Sequence, residues 1–242
     1  HFHNVLCLSE AKGMDIIMTE EADYMKMLGG TKEFQIFSVI QNQSVTHYKL
    51  DYKKRTMEEI PFQSDGYGYI TMSLDENSFY YAGGDAHLKE NIFQYSFDSK
   101  ETEVCVKKEE IADWAEDSKM AVIGVYDEKL IFGVHAGKNL RWFYKDMNQQ
   151  KIYELLLPQK LPREGAQINS IIGQTKDGLY FDYYITNQET GDKGDWSTWY
   201  GYISWEDLLS GKNDVKVVLY PRVSSGGDLV DKDGNVIGTE SR

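Results

Sequence analysis

The sequence predicts an all-β fold: a β-propeller of four-stranded antiparallel blades, most simply five blades in a ring closed by the N- and C-terminal strands. Three observations carry this. The first is a recurrent segment: Ser44–Asp51, Asn91–Asp98, Asn139–Asp146 and Trp199–Glu206 align, each an aromatic or β-branched run ending at an acid. Their last residues lie about 47, 48 and 60 positions apart, inside or just beyond the spacing of propeller blades. The second is that three further columns of short strands flank each segment. The third is the complementarity of the chain ends.

Each column has a physical basis. Before every anchor runs an apolar strand: 34–40, 79–81, 130–134 and 179–184. Polar residues suited to tight turns precede these runs, as in Asp75-Glu76-Asn77, Asp127-Glu128-Lys129 and Lys176-Asp177-Gly178. Another short strand comes before each turn: 24–28, 67–72, 121–125 and 168–173. The fourth column follows the anchors at 57–60, 103–106, 151–156 and 215–220. Four strands per repeat joined by short turns make a propeller blade. The expected blades are therefore 24–60, 67–106, 120–156 and 168–220 within one domain spanning 1–242.

The ends supply the remaining blade. Residues 5–9 and 14–18 read as third and fourth strands, and 228–238 as a first and second, with Lys232-Asp233-Gly234 repeating the Lys176-Asp177-Gly178 turn. Joining them closes the ring and removes exposed edges. A set of blades cut from a larger ring is the competing expectation. Two stretches escape the strand pattern, 109–119 and 205–210, and each reads as a turn or two of helix.

Composition narrows the classes. Hydrophobic residues make up 41% of the 242 and aromatics 13%, so a globular core is affordable. The 17 Tyr and 10 Phe against 4 Pro favour sheets. A net charge of −13 repels polyanions, so no nucleic-acid partner is expected. The basic run Lys53-Lys54-Arg55 falls where a turn belongs, and no apolar stretch is long enough for a membrane-spanning helix. Cys7 and Cys105 sit in apolar strand contexts outside any Cys-x-x-Cys pattern, which reads as buried free thiols, with a disulfide as the alternative. The chain opens at His1 without an initiator Met, which fits a removed leader or an excised portion.

The phrasing Ser78-Phe79-Tyr80-Tyr81 followed by Asn91-Ile92-Phe93-Gln94-Tyr95-Ser96-Phe97-Asp98 resembles the repeat of bacterial extracytoplasmic propellers of the TolB-like type. The resemblance covers most of the chain and concerns architecture. It implies a location outside the cytoplasm and a binding or scaffolding role. Some enzymes carry related propellers, but no family catalytic motif is present to transfer.

Candidate chemistry lies on loops. In a propeller, the second-to-third and fourth-to-first strand connections gather on one face. Second-to-third loops here are 83–90, 135–138 and the long insertion 186–197. His87 and His135 occupy matching loops with Asp85 nearby, a pair that could bind a metal or move protons if both face one funnel and that otherwise reads as surface residues. Asp195, Trp196 and Tyr200 end the insertion, where aromatic faces would stack on sugars; packing of Tyr200 between blades is the alternative. His47, inside a third-column strand, reads as structural. The expected ligand-binding residues are therefore Asp85, His87, His135, Asp195, Trp196 and Tyr200, with no cofactor, metal or catalytic residue assigned.

The expected function is non-enzymatic recognition of a protein or carbohydrate on the loop face. Alternatives are a sensor domain of a larger receptor, or a glycan hydrolase using loop carboxylates such as Asp65, Asp113, Glu116 and Asp195. Against the hydrolase, the first-column strands 67–72, 121–125 and 168–173 contain no acid.

Overall fold

The structure, a computed structural model, describes residues 3–10, 13–66, 68–84, 89–136, 139–155, 166–185, 195–210, 218–220, 222–223, 228–230 and 236–239. The chain divides into two compact units, residues 1–153 and 154–242. The fold is all-β and built of antiparallel sheets, most of them four-stranded.

In the first unit, β1 (His3–Glu10) and β2 (Gly13–Glu21) form a two-stranded sheet. A four-stranded sheet follows, made of β3 (Tyr24–Gly30), β4 (Phe34–Gln41), β5 (Ser44–Asp51) and β6 (Thr56–Glu59) in sequence order. The next has β7 (Ile70–Met72), β8 (Ser78–Gly83), β9 (Asn91–Ser96) and β10 (Thr102–Val106). The third has β11 (Lys119–Tyr126), β12 (Lys129–Ala136), β13 (Asn139–Asp146) and β14 (Lys151–Leu155), the last strand reaching the unit boundary. Consecutive pairing needs only tight hairpins. Those at Asn42-Gln43 and Asp127-Glu128 are two-residue turns with positive φ at both positions, matching the twist of the flanking strands.

β8 shows why such strands read as unbroken aromatic runs. Phe79 and Tyr81 point into a core shared with Leu28 and Ile36 of the preceding sheet, Ile60 and Phe62 of the connection between the sheets, and Ile70 of β7. Tyr80 and Ala82 point the other way, into a core with Met120, Leu130, Phe132 and Phe143 of the following sheet. A sheet buried on both faces has no polar face to alternate with. The first strands also converge, with β7 in contact with both β3 and β11. Gly29 permits this: a Cβ there would stand 2.6 Å from Ile70 Cγ1 and 2.9 Å from Ile70 O. Lys145, buried on β13, donates to the Cys105 carbonyl at 2.6 Å and pairs with Glu110 at 3.4 Å, tying the second and third sheets together.

One strand is shorter than the sequence suggests. The first strand of the second sheet begins at Ile70 rather than at residue 67, because the preceding chain turns. Gly66 adopts φ +77°, and Asp65 Oδ1 accepts the Gly68 N–H at 3.2 Å, a local bond that competes with ladder pairing. Helix in 109–119 reduces to one 3-10 turn, Lys108–Glu110, closed by Glu110 Oε2 accepting the Lys107 N–H at 2.7 Å.

In the second unit, β15 (Ala166–Gln174), β16 (Gly178–Ile185), β17 (Asp195–Ser204) and β18 (Val218–Tyr220) form a four-stranded sheet. β18 begins at Val218, and 215–217 lie outside the described residues. After β17 comes α1 (Trp205–Leu209), the helical turn expected at 205–210. Ser204 Oγ caps it by accepting the Asp207 N–H at 3.1 Å, and buried Trp205 donates its indole N–H to Thr175 O at 2.9 Å. A three-stranded sheet ends the chain: β19 (Arg222–Val223), β20 (Asp228–Val230) and β21 (Val236–Thr239), with β20 central. β19 is not anticipated by the repeat; it places a partner on the side of β20 that a first strand would leave open.

Candidate functional site

Three connections of the first unit meet around a cavity of about 410 Å³. Gln43 comes from the β4–β5 turn with Val45 next to it on β5, Phe62 to Asp65 from the β6–β7 connection, and Gly84 and Lys89 from the β8–β9 connection, with Ala82 and Gly83 at the end of β8. These are second-to-third and fourth-to-first connections. His47, fourth residue in from the turn on β5, forms part of the wall.

His47 is held on three sides and is only 2% exposed. Its ring stacks on Phe62 with centroids 3.9 Å apart and planes within 15°. Nδ1 lies 3.1 Å from Oγ of Ser38, its cross-strand neighbour, and Nε2 lies 3.3 Å from Ser64 Oγ. Ser64 Oγ also accepts the Gly66 N–H at 3.1 Å, which fixes the hydroxyl beside the ring. The two serine contacts satisfy a neutral ring in either tautomer, since each hydroxyl can donate or accept. Burial disfavours the charged imidazolium and pushes the His47 pKa down to about 4, against the pull of the Asp65 carboxylate. The cavity therefore rests on a neutral, fixed imidazole.

The charged part of the wall is Lys89 and Asp65. Their closest approach is Nζ to Oδ2 at 3.5 Å, with side-chain exposures of 27% and 14%. A few residues away, Lys108 and Glu90 close to 2.7 Å. The second pair is a charge-assisted hydrogen bond; the first is a looser ion pair. A second cavity of about 400 Å³ shares Gln63 and Gly84 with the first and is floored by Tyr81 and Phe93, whose rings stack at 5.4 Å.

The residues singled out from sequence distribute differently. Asp85 and His87 lie outside the described residues, though Gly84 and Lys89, which bracket them, line the cavity. His135 is the penultimate residue of β12, exposed, with partial desolvation lowering its pKa; it does not line the cavity. Asp195 and Trp196 open β17 rather than ending a loop, so the insertion is shorter than 186–197 implies. Tyr200 lies mid-strand in the second unit opposite Asp182 and Tyr220, and is 40% exposed. Of the carboxylates considered for hydrolysis, Asp65 is the only one among the described lining residues; Asp113 and Glu116 lie exposed in the turns after the 3-10 segment. Among the described residues, no three His, Cys, Asp or Glu side chains gather as a metal centre.

Ser64, Asp65 and Lys89 as a group are missed by motif reading, since Asp65 and Lys89 are far apart in sequence and match no pattern. The available signal is the column alignment, which puts the β4–β5, β6–β7 and β8–β9 connections at one end of neighbouring sheets.

The class of protein is defined by the sheets: four-stranded antiparallel blades of propeller type, with a TolB-like architecture. TolB from Acinetobacter baumannii superposes with a TM-score of 0.58 at 11% identity, over 95% of this chain and 57% of that one. A TolB structure from Agrobacterium tumefaciens gives a TM-score of 0.49 at 9% identity, over 86% and 84% of the two chains. At such identities the likeness is one of fold, and this chain spans little more than half of the Acinetobacter protein. No protein-family model and no curated protein sequence matches the chain.

Proposed function

We propose that this protein is a non-enzymatic recognition propeller that binds a protein or carbohydrate ligand on its loop face, outside the cytoplasm. The reading rests chiefly on the cavity at His47, Asp65 and Lys89, which is built from the connections that carry binding sites in this architecture. A fixed neutral imidazole, a loose ion pair and the Phe62 ring offer orientation and contact area, as recognition requires. The extracytoplasmic location is inferred from the TolB-like architecture alone; no helix among the described residues is long and apolar enough to cross a membrane. Five blades, 24–60, 67–106, 120–156, 168–220 and 228–238 with 5–18, closing into one ring, belong to the same proposal.

The test is a paired screen of the whole chain on glycan and peptide arrays, with Phe62→Ala and Asp65→Asn run alongside. Binding by the parent, lost in both variants while folding is retained, is the expected result. Binding that survives both changes moves the site elsewhere, and turnover of any arrayed glycan overturns the non-enzymatic assignment.

A further inference from the structure

We infer that the cavity takes its ligand by a carboxylate group, bound to the ammonium of Lys89. This deepens the proposal above and rests on it.

The argument starts from the donors. A lysine ammonium has three N–H groups and no acceptor. Among the described residues, the ammonium of Lys89 approaches one acceptor group, Asp65, and at 3.5 Å it forms no hydrogen bond of ordinary length. Its side chain is nevertheless about three-quarters withdrawn from solvent and lines the cavity. Asp65 is meanwhile anchored from behind by the Gly68 N–H at 3.2 Å, on the opposite carboxylate oxygen from the one facing Lys89. It is placed to hold Lys89 in position rather than to cover it. The contrast with Lys108 and Glu90, closed at 2.7 Å, shows what a completed pair in this neighbourhood looks like.

The charge of the ligand follows from the same geometry. Lys89 and Asp65 are the only ionised groups among the described lining residues, because His47 is neutral over most of the pH range. Asp65 already balances Lys89, so a carboxylate ligand leaves the cluster with one negative charge in excess, the least an anion can add. A dianion such as a phosphate monoester would place its second charge beside Asp65, on a chain that already carries −13. The neutral donors Gln43 and Gln63 also line the cavity and suit further oxygens of the ligand, and Phe62, Val45 and Ala82 suit an apolar body. Two sources present this chemistry: a uronic acid sugar and the C-terminus of a peptide.

The experiment titrates the full chain with two matched pairs of probes. One is D-glucuronate and its methyl ester; the other is N-acetyl-alanyl-phenylalanine and its C-terminal amide. Binding is followed by amide NMR shifts at Gly66, Gly83 and Lys89. In at least one pair, the acid should bind about tenfold or more tightly than its neutral partner, equivalent to about 1.4 kcal/mol. The pair that responds identifies the source. Lys89→Met should erase the difference, and Lys89→Arg should retain it. Equal binding of acid and neutral forms at these amides overturns the carboxylate assignment while leaving a binding cavity. Absence of shifts with all four probes also overturns it, and the array screen then decides separately whether the cavity is a binding site.

Discussion

Acid should destabilise this fold through one histidine. His47 titrates near 6.5 in the unfolded chain and near 4 when buried against Phe62 between two serines. Between those values the unfolded chain takes up a proton that the folded one refuses, so lowering the pH favours unfolding. The stability in question is fully present above about pH 6.5, declines as pH falls toward 4, and levels off below. Each pH unit is worth about 1.4 kcal/mol, so the full contribution is about 3 kcal/mol. Carboxylates titrate in the lower part of the same window, and Asp65 in particular favours the protonated ring, so the measurement must be differential. Urea denaturation of the parent and of His47→Gln, at half-unit steps from pH 7.5 to 4, isolates the term. Stabilities of the two should converge by about 3 kcal/mol as pH falls, whatever the offset at pH 7.5. Parallel curves would refute the reasoning, and so would a ring titration seen by NMR near 6.5 in the folded protein.

Further outcomes follow from the same structure. Phe79→Ala removes a fully buried ring from the core between the first two sheets and should cost about 3–5 kcal/mol, read as a lower urea midpoint. Gly29→Ala should cost about 1–3 kcal/mol, because the new methyl would press on Ile70 where β3 meets β7; an unchanged midpoint would show that the strands separate freely. Burial pushes the Cys105 thiol up to about 11, so at pH 8 on the order of one thiol in a thousand is ionised. In a Cys7→Ser background, the folded protein should resist Ellman's reagent for as long as it stays folded and react promptly in urea. Among the described residues buried Trp142 has no hydrogen-bond partner for its indole N–H, so Trp142→Phe forfeits no hydrogen bond and should cost about 1–2 kcal/mol, the part due to lost ring volume.

Strand positions were largely readable because each blade repeats one physical solution. The acid-ended anchors recur as β5, β9 and β13, in the third place of their sheets, with the last straddling β17 and α1. The reading weakened where local polar bonds compete with pairing, as at Ser64 to Gly68, and where β19 joins β20 with only two residues. The cavity was less legible for another reason. His47 read correctly as a residue inside a strand, but nothing in the string says that Ser38 and Ser64 satisfy its two nitrogens. Nor does spacing reveal that Lys89 stops short of Asp65. Motif reading favours residues with reactive names, which led to His135 and Tyr200, whereas this site is made by the residues that three turns leave facing one another.

The double-sided burial of β8 has a consequence for how the chain finds its alignment. In a strand with one wet face, a slip by one residue throws the apolar set into water and is rejected at once. In Phe79-Tyr80-Tyr81-Ala82 a slip exchanges one aromatic set for another, so solvent is a weak proofreader. The burden falls on the polar residue at the start of the strand. The Ser78 N–H donates to the Ser73 hydroxyl at 3.0 Å, that hydroxyl donates back to Ser78 O at 2.9 Å, and Gln94 Nε2 donates to the Ser78 hydroxyl at 2.7 Å from the neighbouring strand. One buried serine thus acts as the index mark for a strand whose hydrophobic pattern carries little information about its own register.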